Sequence, residues 1–144
     1  MEKQTSKRET IVQALIQVIS VLEDADTKVY RSLDKPLTIA SGGMIILRDN
    51  EAAKETDVLL NPLSYTYELT IQLEVMVQHQ DADARSRMLD LLLSMLEGVI
   101  TGNPTLDGLA EWCELKPAEF HDEPIEGAAT VRSAVVPVVV RYVL

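Results

Sequence analysis

Residues 65–79 alternate so regularly that they constrain the rest of the chain. The odd positions Tyr65, Tyr67, Leu69, Ile71, Leu73, Val75 and Val77 are apolar or aromatic, and the series ends at His79. The even positions Thr66, Glu68, Thr70, Gln72, Glu74 and Gln78 are polar, with Met76 the exception. In an extended chain successive side chains point to opposite faces, so this run reads as one long strand. One of its faces is buried and the other is wet or meets a partner. Asp81 follows at once and is placed to cap a helix over about residues 82–101, closed by Gly102. This strand and helix form the centre of a small α+β domain.

The other segments supply what the strand needs on its buried side. Thr5 or Ser6 can cap a helix, Ser6 with Glu9 at the spacing of a capping box, and the helix behind them carries Ile11, Leu15, Val18, Ile19 and Leu22 on one stripe. Residues 28–33 predict a short strand, and Asp34, Lys35 and Pro36 a turn. Ser41, Gly42 and Gly43 read as a flexible loop with weak structural demand. The apolar run Met44, Ile45, Ile46, Leu47 is too short for a helix and predicts a buried strand. Residues 50–57 are polar and fit a short helix or a mobile loop, and Asn61-Pro62 marks a turn. After the second helix, residues 109–119 predict a strand, 121–127 a hairpin loop, and 130–144 a strand apolar on both faces. Pro137 within that last strand argues for a bulge or an edge stretch. The expected order is α-β-β-β-α-β-β, a mainly antiparallel sheet with both helices packed on one face.

The 144 residues are expected to form a single domain, with residues 1–5 disordered. A formal net charge of -10 disfavours a nucleic-acid surface, because a negative field repels phosphates. Lys3, Lys7 and Arg8 are the one basic cluster, and they read as a solvated start. A single cysteine excludes an internal disulfide and suits a reducing compartment. Gln13, Gln17 and Ser20 interrupt the first apolar run, which therefore reads as an amphipathic helix and not a secretion signal. No stretch is long and apolar enough to span a bilayer.

No cluster of residues reads as a catalytic centre. His79 stands near Asp81 and Asp83, but Asp81 is needed as a helix cap. His121, Asp122 and Glu123 include metal-ligand types, but they fall in an acidic loop. Cys113 beside Trp112 reads as a small core residue. The Ser41-Gly42-Gly43 loop lacks the lysine and the spaced glycines of a phosphate-binding loop. Met88 and Met95 lie one heptad apart and read as packing residues. Excess apolar surface is the one physical hint of function. The second helix carries Leu89, Leu91, Leu92, Leu93, Leu96, Val99 and Ile100 nearly all round, and the last strand is also apolar on both faces. A small sheet with two helices on one side cannot easily bury all of that, which points to self-association.

Taken in order, several segments match a known pattern. These are the amphipathic helix ending at Leu22, the early strand Lys28-Val-Tyr-Arg-Ser, and the long strand Tyr65-Thr-Tyr-Glu-Leu-Thr-Ile-Gln-Leu-Glu-Val. The Ala-Asp-Ala-Arg helix that ends at Gly102-Asn-Pro-Thr-Leu follows, and the chain closes on Ala134-Val-Val-Pro-Val-Val-Val-Arg-Tyr. Over about residues 7–144 the chain resembles the tail terminator, or tail-completion, proteins of long-tailed bacteriophages, the minor tail protein U type. The resemblance implies a ring, commonly a hexamer, at the end of the tail tube. It implies partners in the tail tube protein and the head-tail connector, and a place in the virion tail after assembly in the host cytoplasm. It implies no cofactor, no metal and no enzymatic activity, with DNA passing through the ring unread.

The resemblance assigns no individual residues. Interface candidates come from the chain itself: Leu37, Ser41, Gly42 and Gly43 in one loop, Glu51, Lys54 and Glu55 in the acidic segment, and Glu68, Gln72 and Glu74 on the polar face of the long strand. Competing readings are a head-closure or neck adaptor, a small acidic metal enzyme, and a cytoplasmic binding module.

Overall fold

In the computed structural model, residues 5–34 and 38–144 are described. The expectations for residues 1–4, for the turn at Lys35-Pro36 and for Leu37 lie outside the described residues. The elements are α1 (Lys7–Ser20), β1 (Lys28–Arg31), β2 (Met44–Arg48), β3 (Lys54–Leu60), β4 (Leu63–Gln78), α2 (Ala82–Thr101), β5 (Trp112–Leu115), β6 (Glu119–Glu123) and β7 (Val131–Val143). They form an α+β fold with one seven-stranded sheet. Its central order is β1-β2-β4-β7-β5, with β3 on β4 and β6 on β7.

The long alternating run is β4, and it is the spine of the sheet. It pairs antiparallel with β7 from Thr66↔Val143 to Gln78↔Val131. Its other edge is shared by β3 and β2. Leu69, Ile71, Leu73, Val75 and Val77 are fully buried on the helix side. There they join Ile11, Leu15 and Ile19 of α1, Leu89, Leu92, Leu96 and Ile100 of α2, and Ala134, Val136, Val138 and Val140 of β7. Two aromatic rings, Tyr67 and Tyr142, stack at 5.5 Å between centroids on the same side.

Both helix starts follow from their caps. Ser6 Oγ accepts from the Glu9 N–H at 3.1 Å, and Asp81 accepts from the Ala84 N–H at 3.0 Å. The Glu9 carboxylate does not reach back to the cap, as a capping box would have it. It is drawn instead to Arg31, 2.5 and 2.6 Å away.

Among the strands the structure corrects the sequence expectation at four places. Residues 54–60 are a strand, β3, and not a short helix or mobile loop. Every residue of β3 is exposed, so no burial pattern marks it; the turn at Asn61-Pro62 sets it against β4, with an irregularity between Glu55 and Asp57. Residues 119–123 form the strand β6 where the hairpin loop was expected to begin at His121, and again every residue is exposed. The strand expected over 109–119 is confined to 112–115, because Leu106, Asp107 and Gly108 adopt positive φ and spend the preceding residues in turns.

Pro137 is the fourth correction. It lies in an unbulged register with Gln72, well inside the sheet. Its carbonyl accepts from the Lys116 N–H at 2.8 Å, so its donor-less nitrogen also faces the β5–β6 side. The ladder has a gap there: β5 pairs from Leu115↔Val138 outward and β6 from Glu119↔Val135. A proline fits because strand pairing stops at Leu115 and resumes at Glu119, so the ladder asks no donor of position 137.

β1 and β2 run parallel, which needs a crossover, and residues 32–43 supply it, with no helix among the described ones. Leu33 and Ile39 of this crossover cover Met44, Ile46, Met76 and Val131 on the face away from the helices. The crossover ends on Gly42 and Gly43, and both are under strong structural demand, contrary to the weak demand read from the sequence. A Cβ on Gly42 would stand 2.6 Å from Thr27 Oγ1 and 2.9 Å from the Asp26 carbonyl. Gly43 has φ +99, and a Cβ there would stand 2.8 Å from Leu92 of α2. Gly43→Ala is therefore expected to cost about 1–3 kcal/mol, read as a lower urea midpoint at unchanged slope.

Candidate assembly surfaces

Three surfaces of the described residues are candidates for assembly. One is the face of the sheet away from the helices. In the register, β4 places Glu68, Thr70, Gln72 and Glu74 there, β7 adds Val135, Pro137, Val139 and Arg141, and β2 adds Arg48. Most of its charges are paired. Arg141 lies 2.8 Å from Asp57, 3.4 Å from Glu111 and 3.8 Å from Glu68, and Arg48 lies 3.6 Å from Glu74. Gln72 Nε2 donates to Glu51 at 3.2 Å, whereas Gln72 Oε1 is buried with no hydrogen-bond partner among the described residues. An acceptor left unsatisfied costs about 1–3 kcal/mol.

The second surface is the arm made by β3 and the start of β4. Arg141 ties its base to the sheet through Asp57, and Thr56 Oγ1 donates to the Thr66 carbonyl at 3.2 Å. Its end carries Val58, Leu59, Leu60 and Leu63, which are 46%, 51%, 81% and 61% exposed. Consecutive exposed apolar residues at the end of a projecting hairpin have no use inside the chain.

The third surface is the outward side of α2. Leu91 and Met95 are exposed there, beside a groove of about 340 Å³ lined by Asp24, Asp26, Thr27, Gly42, Met88 and Leu92. The helix that read as apolar all round is thus buried on one side, through Leu89, Leu92, Leu96 and Ile100, and open on the other.

The residues singled out from the sequence divide between these places. Glu68, Gln72 and Glu74 share the outer sheet face, where Lys54 stands opposite Glu68 in register and Glu51 meets Gln72. Glu55 is on the exposed arm. Ser41, Gly42 and Gly43 lie apart from them, at the rim of the α2 groove. Ser41 Oγ is 3.3 Å from the Asp26 carboxylate, and the Gly42 N–H donates to the Asp26 carbonyl at 2.7 Å. Val58, Leu59, Leu60 and Leu63 were not singled out. Their signal was present as an apolar run on both sides of the Asn61-Pro62 turn.

His79 and Cys113 both serve the fold, and His121, Asp122 and Glu123 lie exposed on β6. His79 Nδ1 accepts the Asp81 N–H at 3.0 Å, which binds it into the α2 cap. Burial pushes the Cys113 thiol up to about 11, so it stays protonated near neutrality and is a poor nucleophile. Among the described residues no group of three or more His, Cys, Asp or Glu side chains is arranged to hold a metal ion. No helix among them is long and apolar enough to cross a membrane.

One charged network ties the first turn of α1 to the ends of β1 and β2. Arg31 lies 2.9 Å from Asp49 as well as on Glu9, Arg8 lies 3.4 Å from Asp49, and the Ser32 hydroxyl donates to Asp49 at 3.2 Å. Hydrogen bonds from Arg31 hold the carboxyls of Glu9 and Asp49 below the ordinary carboxylate range. A depressed carboxyl stabilises the fold above its unfolded-state value and loses that contribution as pH falls through the lower folded-state value. Asp49→Asn should therefore lower the melting temperature at neutral pH and flatten its fall between about pH 5 and about pH 2. Thermal melts of both proteins across that window check the sign.

No family model matches the sequence, and no curated protein matches it. Among solved structures, the chain is similar to one in the "Virion of native gene transfer agent (GTA) particle", with 12% identity, 91% of each chain covered and a TM-score of 0.48. It is also similar to one in an "Extracellular Contractile Injection System, PVC sheath/tube terminator in extended state". That match has 15% identity over 96% of this chain and 58% of the other, with a TM-score of 0.38.

Proposed function

We propose that the protein is a structural component of a phage-type tail. It caps the end of the tail tube as a ring of identical copies, stops the tube from growing, and offers its far side to the head connector. The observation that carries this reading is the arm, whose end keeps Leu60 and Leu63 more than half exposed in the isolated chain. Such a tip is built to be buried against another protein. The order of segments that resembles the tail terminators supports the kind of assembly. The net charge of -10 suits a ring through which DNA slides without sticking. The role is steric and needs no catalytic group or cofactor. Its place is the virion tail, reached after assembly in the host cytoplasm.

Electron microscopy of tails assembled with and without the protein tests this. Overlong tubes in its absence, and tubes of uniform length when it is present during assembly, are the expected result. Tubes of normal length that fail to join heads would replace termination with a neck-adaptor role.

A further inference from the structure

We propose that the outward face of α2 docks against the same helix of a second copy, antiparallel across a two-fold axis. This surface is separate from the hairpin arm, and the proposal does not depend on tube capping. Helical spacing sets Arg87, Leu91, Ser94 and Gly98 in one line along the solvent side, with Leu91 62% exposed and Met95, 43% exposed, on its flank. A glycine inside a helix costs about 1 kcal/mol relative to alanine. No described residue requires one at position 98, because a Cβ there meets nothing within 4 Å beyond the helix's own neighbouring backbone. Its use is to let something approach the helix from outside.

Set antiparallel against itself, the line matches large residues to small ones. Leu91 falls on Ser94 of the second copy, and the stem of Arg87 crosses Gly98. The charges match in the same register. Arg87, bonded among the described residues of its own chain only to the exposed Asp83, comes beside Glu97 of the second copy. Glu97 stands near the end of a helix whose last turn carries no basic residue. The two-fold axis makes that pair twice. Acids are kept apart, since Asp90 falls opposite Met95 and Asp83 opposite Gly102. Leu91 and Met95 supply the apolar centre, and the paired charges supply the polar rim.

Sedimentation equilibrium of the full chain from about 1 μM to about 1 mM tests the proposal. The wild type is expected to dimerise. Gly98→Leu should raise the melting temperature of the subunit, because leucine is the better helix former and has room, yet weaken the dimer at least about tenfold. Arg87→Glu and Glu97→Arg should each weaken it, and the two together should restore it although the Arg87–Asp83 pair is lost. Leu60→Asp should leave it unchanged. A monomer at every concentration overturns the proposal. So does a dimer that ignores Gly98→Leu and the charge reversals, and if that dimer falls to Leu60→Asp instead, the contact belongs to the hairpin tip.

Discussion

Replacing Leu60 and Leu63 together by aspartate is expected to abolish tube capping while leaving the melting temperature within about 2 °C of the wild type. The two side chains are 81% and 61% exposed, and β3 buries none of its residues, so the subunit has little to lose at the arm's end. At a protein–protein contact the same positions weigh heavily. Burying each leucine is worth about 1.5–3 kcal/mol, and two carboxylates placed there would also have to shed water. Losing at least about 3 kcal/mol weakens binding more than about 100-fold. The measurement is tube length by electron microscopy with purified variant added to growing tubes. Tubes stopped at the usual length would show that the arm does not make the contact with the tube.

The second large effect lies in the core. Leu73 is fully buried at the middle of β4, between Leu47 of β2 and Val136 of β7 in register. Leu73→Ala removes packed methyl groups at a point where three strands and the helices above them cannot collapse into the space. The expected cost is about 2–5 kcal/mol, against a total stability of about 5–15 kcal/mol. That lowers the melting temperature by about 10 °C or more. The neighbouring position is the control. Gln72 points to the opposite face and carries an unsatisfied buried oxygen, so Gln72→Ala is expected to be nearly neutral. Equal losses at 72 and 73 would mean that the outer face of β4 is packed as tightly as the inner one.

That contrast also marks how far the sequence could be read. β4 was legible because its period of two records burial on one side and solvent on the other. The stripes of α1 and the crowded apolar set of α2 were legible for the same reason. So were the caps at Ser6 and Asp81, whose side-chain oxygens act within three residues. β3 and β6 were not legible, because all their side chains are exposed and strand pairing with β4 and β7 alone defines them. Pro137 pointed to a broken ladder, but only the tertiary pairing shows that the break is a gap between β5 and β6. Gly42 and Gly43 passed for a loose loop because what they touch, Thr27, Asp26 and Leu92, is far away in sequence or on another element.

For function the division is similar. Excess apolar surface was visible in α2 and β7 from composition and period. The sequence located it on helices and strands without saying which side remained open. Only the folded chain separates Leu89, Leu92 and Leu96, which face the core, from Leu91 and Met95, which do not. Only the hairpin at Asn61-Pro62 turns four ordinary apolar residues into an exposed tip. Local spacing determines which residues share a face, since backbone geometry repeats along each element. Which face finds a partner depends on contacts between distant segments, and those exist only once the chain has folded.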